Sequence, residues 1–378
     1  MRRLAAAFAV FGAFWGGWAV AAADVERSLH LSHAGFGLLL SAALGGAALT
    51  NAIGGALVER HGTASMFPVT LAGWAVLLVV GAAVRSPIAL GLVIVLLIAS
   101  GGFLDVVMNV AATAALANEP GELVRFHARF NVGAAIGAAC TGVLLANGAS
   151  WRWQWAGIAA GALLLATATR GRDLPAGEAG EHTELTSALS LLRRERLVLI
   201  ALAFAVGAMV EGGIDLWGVL FLRTFLSSGI AVAATSSTLG FCVAAAARVF
   251  IGPRVAQRGA VAGTAAGGIA AGVGVLVLAL ARTPWLSGVG LVLAAGGISM
   301  CWPLLLAYAS AGRSRPGLVV GGMSGVGYLG FVVGPTLVGW LAAAFGLRWG
   351  LLVLATGGLF VAVAPLAHRR AVSPSRQP

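Results

Sequence analysis

Long apolar segments alternate with short polar breaks along the whole chain. Most of them hold about 20 residues or more, which is enough for a helix to cross a bilayer core roughly 30 Å thick. Lipid offers the backbone no hydrogen-bond partner, so each segment is predicted to be a helix. The predicted spans are residues 4–24, 35–58, 65–84, 88–115, 128–147, 152–169, 197–222, 229–251, 260–281, 285–311, 317–345 and 348–367. This pattern predicts an all-α polytopic membrane protein with twelve transmembrane helices.

The composition excludes a soluble globular protein. Charged residues make up 10 % of the 378 positions and apolar residues 59 %, whereas an ordinary soluble domain is roughly 25 % charged. The net charge of +11 comes from arginines in the breaks between apolar segments, so we expect a lipid bilayer and not nucleic acid as partner. The three cysteines, Cys140, Cys242 and Cys301, lie far apart without metal-binding spacing. We expect no metal and no cofactor.

The arginines also predict how the chain is oriented. If the N-terminus is cytoplasmic, 18 of the 24 arginines fall on the cytoplasmic side and 6 on the other. The six on the other side are Arg27, Arg85, Arg152, Arg223, Arg282 and Arg348. Positive charge collects on the cytoplasmic side of membrane proteins. Both termini are therefore predicted to be cytoplasmic, in the inner membrane.

The chain repeats itself about a polar central stretch. Residues 171–195 are predicted to be a cytoplasmic linker between a first bundle, residues 1–170, and a second bundle with a short tail, residues 196–378. The two halves match at an offset of 196 or 197, as in Arg85-Ser-Pro against Arg282-Thr-Pro. Six helices separate equivalent points, so the copies run parallel. A parallel repeat is typical of transporters that alternate access around a central site.

The segment from Gly55 to Gly62 resembles the signature loop of the major facilitator superfamily, with Gly55, Glu59, Arg60 and Gly62 in its glycine, acid, base and glycine positions. Glu59 stands where the family usually has Asp, and Thr63-Ala64 replace the trailing bases. The second copy is degraded. The resemblance implies the superfamily's fold of two six-helix bundles, and a gating role for this loop beside the start of the eleventh span.

Three further stretches resemble a poorly characterised bacterial branch of that superfamily: residues 105–109, 211–217 and 327–335. In the third, Gly330, Gly334 and Pro335 are candidates for bending the eleventh span, although they could also serve close helix packing. The resemblance covers essentially the whole chain. It is specific for the fold and weak for the substrate.

Charged residues within the spans indicate the candidate site. Asp105, Glu211 and Asp215 lie deep in predicted spans, where a charge costs at least about 2.5–3.5 kcal/mol. Asp105 shares a helix face with Asn109, as Glu211 does with Asp215. We predict that these four residues line a central cavity and that at least one acid carries a coupling proton. The alternative is a structural role in bonds between helices.

Aromatic residues could add surfaces on which a solute stacks. The candidates are Trp15, Trp18, Trp217, Trp302 and Tyr328. Trp217, close to the acids in sequence, is the foremost of them. Interfacial anchoring and helix contact are the alternative explanation for all five.

The predicted function is a secondary transporter, a monomer that moves a small organic solute by alternating access, coupled to protons. Efflux of a drug or amphiphile is an alternative, although the fourth span lacks the mid-membrane arginine usual in drug antiporters. A non-transporting sensor or assembly protein is another. We predict no enzyme, because no nucleophile–base pair or metal-ligand spacing lies within the spans.

Overall fold

The structure, a computed structural model, describes residues 1–116, 120–171, 185–251, 254–255, 259–313 and 316–372. Thirteen helices account for nearly all of this part of the chain. They are α1 (Arg2–Leu29), α2 (His33–His61), α3 (Thr63–Ala83), α4 (Pro87–Ala115), α5 (Pro120–Ala146), α6 (Arg152–Thr169), α7 (Leu185–Arg194), α8 (Val198–Phe225), α9 (Ile230–Ile251), α10 (Ala260–Leu280), α11 (Pro284–Ser310), α12 (Pro316–Phe345) and α13 (Leu347–Val372).

Every predicted span is a helix in the structure. Eleven helices of the described residues are long and apolar enough to cross a membrane. The twelfth long helix, α6, has 18 residues and begins with Arg152 and Gln154, whose polarity lowers its mean hydropathy. The largest difference in bounds is at α5, which begins at Pro120, well before the predicted start at residue 128. A helix need not begin where its apolar stretch begins, because water can solvate a polar first turn.

Helix pairing repeats in the two halves. In the first half α1 packs against α5, α2 against α4, and α3 against α6. In the second half α8 packs against α12, α9 against α11, and α10 against α13, which is the same order. The halves meet where α2 packs on α12 and α5 packs on α9. This confirms two six-helix parallel bundles, while the residue boundaries of the domains stay a prediction.

Equivalent glycines bring equivalent helices into backbone contact. A Cβ at Gly133 of α5 would lie 1.9 Å from the carbonyl oxygen of Ala9 in α1. A Cβ at Gly330 of α12 would lie 1.8 Å from the carbonyl oxygen of Ala205 in α8. The two glycines are 197 positions apart and the two alanines 196, which is the register predicted from the sequence.

The predicted linker contains a helix that the sequence analysis did not anticipate. Helix α7 packs against α8 and α12. It ends where Leu197 N–H donates to the Leu192 carbonyl at 2.8 Å and Arg196, with φ 58°, donates to the Arg193 carbonyl at 3.1 Å. Leu192 and Leu197 are both buried, as is usual for this helix ending. The earlier part of the linker, residues 172–184, lies outside the described residues.

Candidate functional site

The two ends of the helix bundle are called the terminal end and the distal end. The terminal end carries Arg2, α7 and the end of α13, and the distal end carries the loop between α1 and α2. The candidate residues lie between these ends, mostly where the two halves meet.

Asp105 and Asn109 lie on one face of α4 and are both partly buried. The Asn109 amide donates to the backbone carbonyl of Asp105 at 3.0 Å. The Asp105 carboxyl faces the Asn109 amide and the hydroxyl of Tyr328, which belongs to α12. The structure therefore places this acid beside a residue from the opposite half.

A hydrogen bond crosses between the halves at the same level. The Asn51 amide of α2 donates to the Tyr328 hydroxyl at 3.0 Å. The Tyr328 oxygen accepts this bond, so the Tyr328 O–H can still donate to a second partner. The Asp105 carboxyl lies beside it. Asn51, Tyr328 and Asp105 form what we call the midline network.

His127 extends the midline network toward the terminal end. Its Nε2 lies 3.1 Å from the Asn109 side-chain oxygen. An amide oxygen only accepts hydrogen bonds, so we assign the proton to Nε2 and the donation to His127. The ring lies edge-on against Phe8 and Phe126, which holds it in place.

Glu211 forms an ion pair that the sequence analysis missed. Arg248 of α9 donates from Nη2 to Glu211 Oε1 at 2.6 Å, and each side chain is about one-fifth exposed. The sequence analysis named only acids as charged candidates within the spans. Arg248 lies close to the end of α9, and its long side chain reaches inward to the middle of α8.

Arg248 is held by a proline-dependent contact as well. Its Nε donates to the backbone carbonyl of Ser299 at 3.0 Å. In a regular helix that carbonyl accepts from the residue four positions on, which here is Pro303 and has no N–H. The vacant carbonyl gives the guanidinium a second fixed partner.

Asp215 completes a second cluster around the same cation. It lies one turn from Glu211, partly buried, within electrostatic range of both Glu211 and Arg248. Both Asp215 and Arg248 occupy short stretches of π-helical turns, residues 214–218 and 247–251. Such turns often occur at functional sites. One guanidinium thus pairs with Glu211 and lies within electrostatic range of Asp215.

Trp217, two positions after Asp215, packs against the other half of the protein. It is fully buried, and its ring contacts the rings of His33 and Phe36 of α2 at the distal end. Trp302, another of the candidate aromatic residues, packs against Phe204 at 4.2 Å and Phe331 at 5.6 Å between ring centroids.

The predicted gating segment lies mostly on the helix. Gly55, Glu59 and Arg60 belong to the last turns of α2, which continues to His61. Only Gly62 is a true turn residue, with φ 77° between α2 and α3, and Arg60 is exposed. The Glu59 side chain lies outside the described residues, so its gating role stays a prediction.

The candidate bending residues of α12 serve contacts between helices. Gly330 allows the close approach to α8 described above, and Gly334 lies against Met209 of the same helix. Pro335 lies inside a continuous helix, and the next residue, Thr336, bonds outward instead. Its N–H and its hydroxyl both contact Ser41 Oγ of α2, at 3.1 and 2.7 Å.

Further contacts hold the halves together at the distal end. Arg223 of α8 pairs with Asp24 of α1 and donates to the Val20 carbonyl at 3.1 Å. A Cβ at Gly37 of α2 would lie 2.3 Å from the Pro335 carbonyl oxygen. The distal end is therefore closed in this structure.

Asn51 and Arg248 are the functional candidates that sequence reasoning did not select. They occupy the same position of the internal repeat, because 248 − 51 = 197. A comparison of the two halves for polar residues at equivalent positions within their spans would have identified both. Within the described ranges, no group of three or more His, Cys, Asp or Glu could hold a metal ion.

Comparison with known proteins gives a consistent picture. A family model of the Major Facilitator Superfamily matches residues 4–313. The chain is 24 % identical over 356 residues to an uncharacterized MFS-type transporter of Yersinia pestis, covering 89 % of this chain and 87 % of that protein.

Solved structures share the fold at low identity. The nucleoside transporter NupG has a TM-score of 0.75 at 18 % identity, with 97 % of this chain and 98 % of that one covered. A bacterial homolog of the human lysosomal transporter Spinster, inward-facing and unoccupied, has 0.76 at 16 %, covering 97 % and 96 %. The xylose transporter XylE from E. coli, partially occluded and inward open, has 0.72 at 14 %, covering 99 % and 98 %.

Proposed function

Because this chain belongs to the Major Facilitator Superfamily, we propose that it is a proton-coupled secondary transporter of a small organic solute. Family and fold point to a transporter rather than an enzyme. In this proposal the two six-helix halves alternate access to a central site. Asp105 carries the coupling proton.

One observation carries this assignment. The Asp105 carboxyl faces the Tyr328 hydroxyl, which itself accepts the Asn51 hydrogen bond across the two halves. An ionised carboxylate can only accept hydrogen bonds, whereas a protonated one also donates. Taking up or releasing a proton at Asp105 would therefore change the bonding of a network that spans both halves.

Glu211 receives a different role in the proposal. Its carboxylate is engaged by the Arg248 guanidinium at 2.6 Å. We propose that the Glu211–Arg248 pair supplies a fixed polar surface, with Asp215 beside it and Asn109 positioning Asp105. The rings of Trp302 and Phe331 would offer an apolar face to the solute.

The substrate class is proposed from the similar structures. They include a nucleoside transporter and a D-xylose-proton symporter, both of which handle polar solutes. Carboxylates, amides and a hydroxyl between the halves could bond to the hydroxyl groups of such solutes. Nucleosides and pentoses are therefore the first probes, and amphiphilic drugs test efflux as the alternative.

The proposed location is the cytoplasmic membrane, with both termini in the cytoplasm and a single chain as the transporting unit. The uneven distribution of the 24 arginines supports this orientation. The distal end would then face outward, so the closed distal end described above corresponds to access from the cytoplasm.

The test begins with thermal-shift screening of the purified protein against these probes at about pH 6 and about pH 8. A probe that binds is then followed into proteoliposomes with an imposed pH gradient. We expect Asp105→Asn to lose gradient-driven accumulation by about tenfold or more while solute exchange without a gradient continues.

Glu195→Gln is the matched control, because Glu195 pairs with Arg313 at the terminal end, away from the midline network. It is expected to keep gradient-driven accumulation. Full gradient dependence in Asp105→Asn would overturn the role assigned to Asp105.

A further inference from the structure

A buried acid–histidine pair lies at the distal end, separate from the midline network. Glu26 near the end of α1 lies 2.6 Å from His33 Nδ1 at the start of α2. The Glu26 side chain is only 8 % exposed and the His33 side chain 31 %. A carboxylate buried to this extent is stable only with a charged or strongly donating partner, and His33 is that partner here.

The second half of the protein covers this pair. The His33 ring lies edge-on to Trp217 of α8, with ring centroids 6.1 Å apart. A Cβ at Gly339 of α12 would lie 2.5 Å from the His33 backbone carbonyl. These contacts are made across the closed distal end, so opening that end would separate His33 from α8 and α12.

A cleft leads from this pair toward the distal surface. It has a volume of about 420 Å³ and is lined by Glu26, Arg27, Leu31, Ser32, His33, Ala342 and Ala343. Its walls come from α1, from the loop after it and from α12. A cleft of this size admits water molecules, which can bring protons to His33 without opening the bundle.

The charged residues around this pair are paired with other groups, exposed or distant from it. Asp24 of α1 is engaged by Arg27 and by Arg223 of α8. The residues that α12 contributes to the cleft are alanines. His30 of the same loop is exposed, and α2 carries its other charged residues at the opposite end of the bundle.

We propose that Glu26 and His33 form a second proton-binding site, which senses the pH of the distal compartment and holds the distal end closed when it is occupied. This proposal does not rest on Asp105 as the carrier of the transported proton. With a proton bound, the pair is an imidazolium and a carboxylate in direct contact. Without it, the buried carboxylate keeps only a neutral partner, and opening the distal end restores its water.

The sign of the pH effect follows from linkage. The closed state binds the proton more tightly than the open state, so lowering the pH favours the closed state. The effect should vanish when His33 cannot titrate.

The experiment measures the opening of the distal end directly. Spin labels at Ser86→Cys and Thr283→Cys, two exposed distal positions in different halves, report the distance between the halves, after Cys140, Cys242 and Cys301 have been replaced. Without solute, lowering the pH from about 8 to about 5.5 should raise the ratio of closed to open molecules by about tenfold. His33→Gln, which retains a donor, should abolish this shift, and His33→Arg should remain closed at both pH values.

The control separates this site from a neighbouring histidine. His30→Asn, on the same loop, should shift as the unmodified protein does. A pH shift that persists in His33→Gln, or that disappears in His30→Asn, overturns the proposal. If His33→Gln and His33→Arg show the same ratio of closed to open molecules at both pH values, the proposal is also overturned. That result would mean that the side chain at position 33 acts through packing and not through its charge.

Discussion

At the scale of single residues, the structure separates acids that look alike in the sequence. Asp105 and Glu211 both lie deep in a span, but Glu211 has a guanidinium partner at 2.6 Å. Asp105 instead faces an amide and a hydroxyl. That difference separates a carboxylate paired with a cation from one whose neighbours are neutral.

The Glu211–Arg248 pair makes a prediction about stability. Arg248→Ala leaves Glu211 partly buried without its cation, which we expect to cost roughly 3 kcal/mol, at the low end of the range for a buried pair because both side chains keep some solvent contact. The double variant Glu211→Gln/Arg248→Ala should recover much of this loss. Thermal unfolding in detergent measures both, and a double variant less stable than Arg248→Ala would contradict the assignment.

At this scale the sequence was sufficient to select the buried acids as candidates, but not to predict which residues contact them. A charge within an apolar run stands out in any sequence, because its insertion is costly. Arg248, close to the end of its helix, does not stand out, and its contact with Glu211 joins positions 37 apart. Only the fold brings such residues together. The site residues therefore remain proposals until variants are measured.

At the scale of helices, prolines leave backbone groups that bond to other helices. Pro303 leaves the Ser299 carbonyl for Arg248, and beside Pro335 the Thr336 N–H turns to Ser41. Helix bounds were predictable to within a few residues because the lipid demands long apolar runs. The π-helical turns and α7 were not, because neither leaves a signal in the hydrophobic pattern of the spans.

Close glycine contacts allow a prediction at this scale. Gly330→Ala would drive a methyl group into the Ala205 carbonyl and force α8 and α12 apart, so we expect a loss of about 1–3 kcal/mol in stability. Gly157→Ala is the matched control, because no atom lies within 4 Å of a Cβ at that position of α6. A thermal unfolding midpoint in Gly330→Ala as high as in Gly157→Ala would contradict this account of the contact.

At the scale of the whole molecule, twelve spans and two parallel halves follow from the sequence almost completely. Apolar length, the 197-residue register and the superfamily resemblance all pointed to the same fold. The closed distal end did not follow, because the hydrophobic pattern predicts the helices and not how the two halves tilt against each other. That the distal end is closed depends on contacts such as Arg223 with Asp24, which only the structure reveals.

Orientation in the membrane is the prediction that belongs to this scale. In a cysteine-free background, Ser86→Cys and Thr283→Cys should react with a membrane-impermeant maleimide in intact cells, because the arginine distribution places the distal end outside. Arg2→Cys, at the terminal end, should react only after the cells are lysed. Labelling of Arg2→Cys in intact cells would reverse the assigned orientation.

The paired glycines at positions 133 and 330 also limit how this protein can change shape. Where a carbonyl oxygen occupies the space of a missing methyl group, neither helix of the pair can slide by a residue without a steric clash. The helices within each half are therefore fixed relative to one another, and the contacts that can rearrange are those between the two halves. We therefore expect the two halves to move as rigid bodies relative to each other. In that case a few contacts between the halves, of modest energy, suffice to determine which side of the membrane the central site faces.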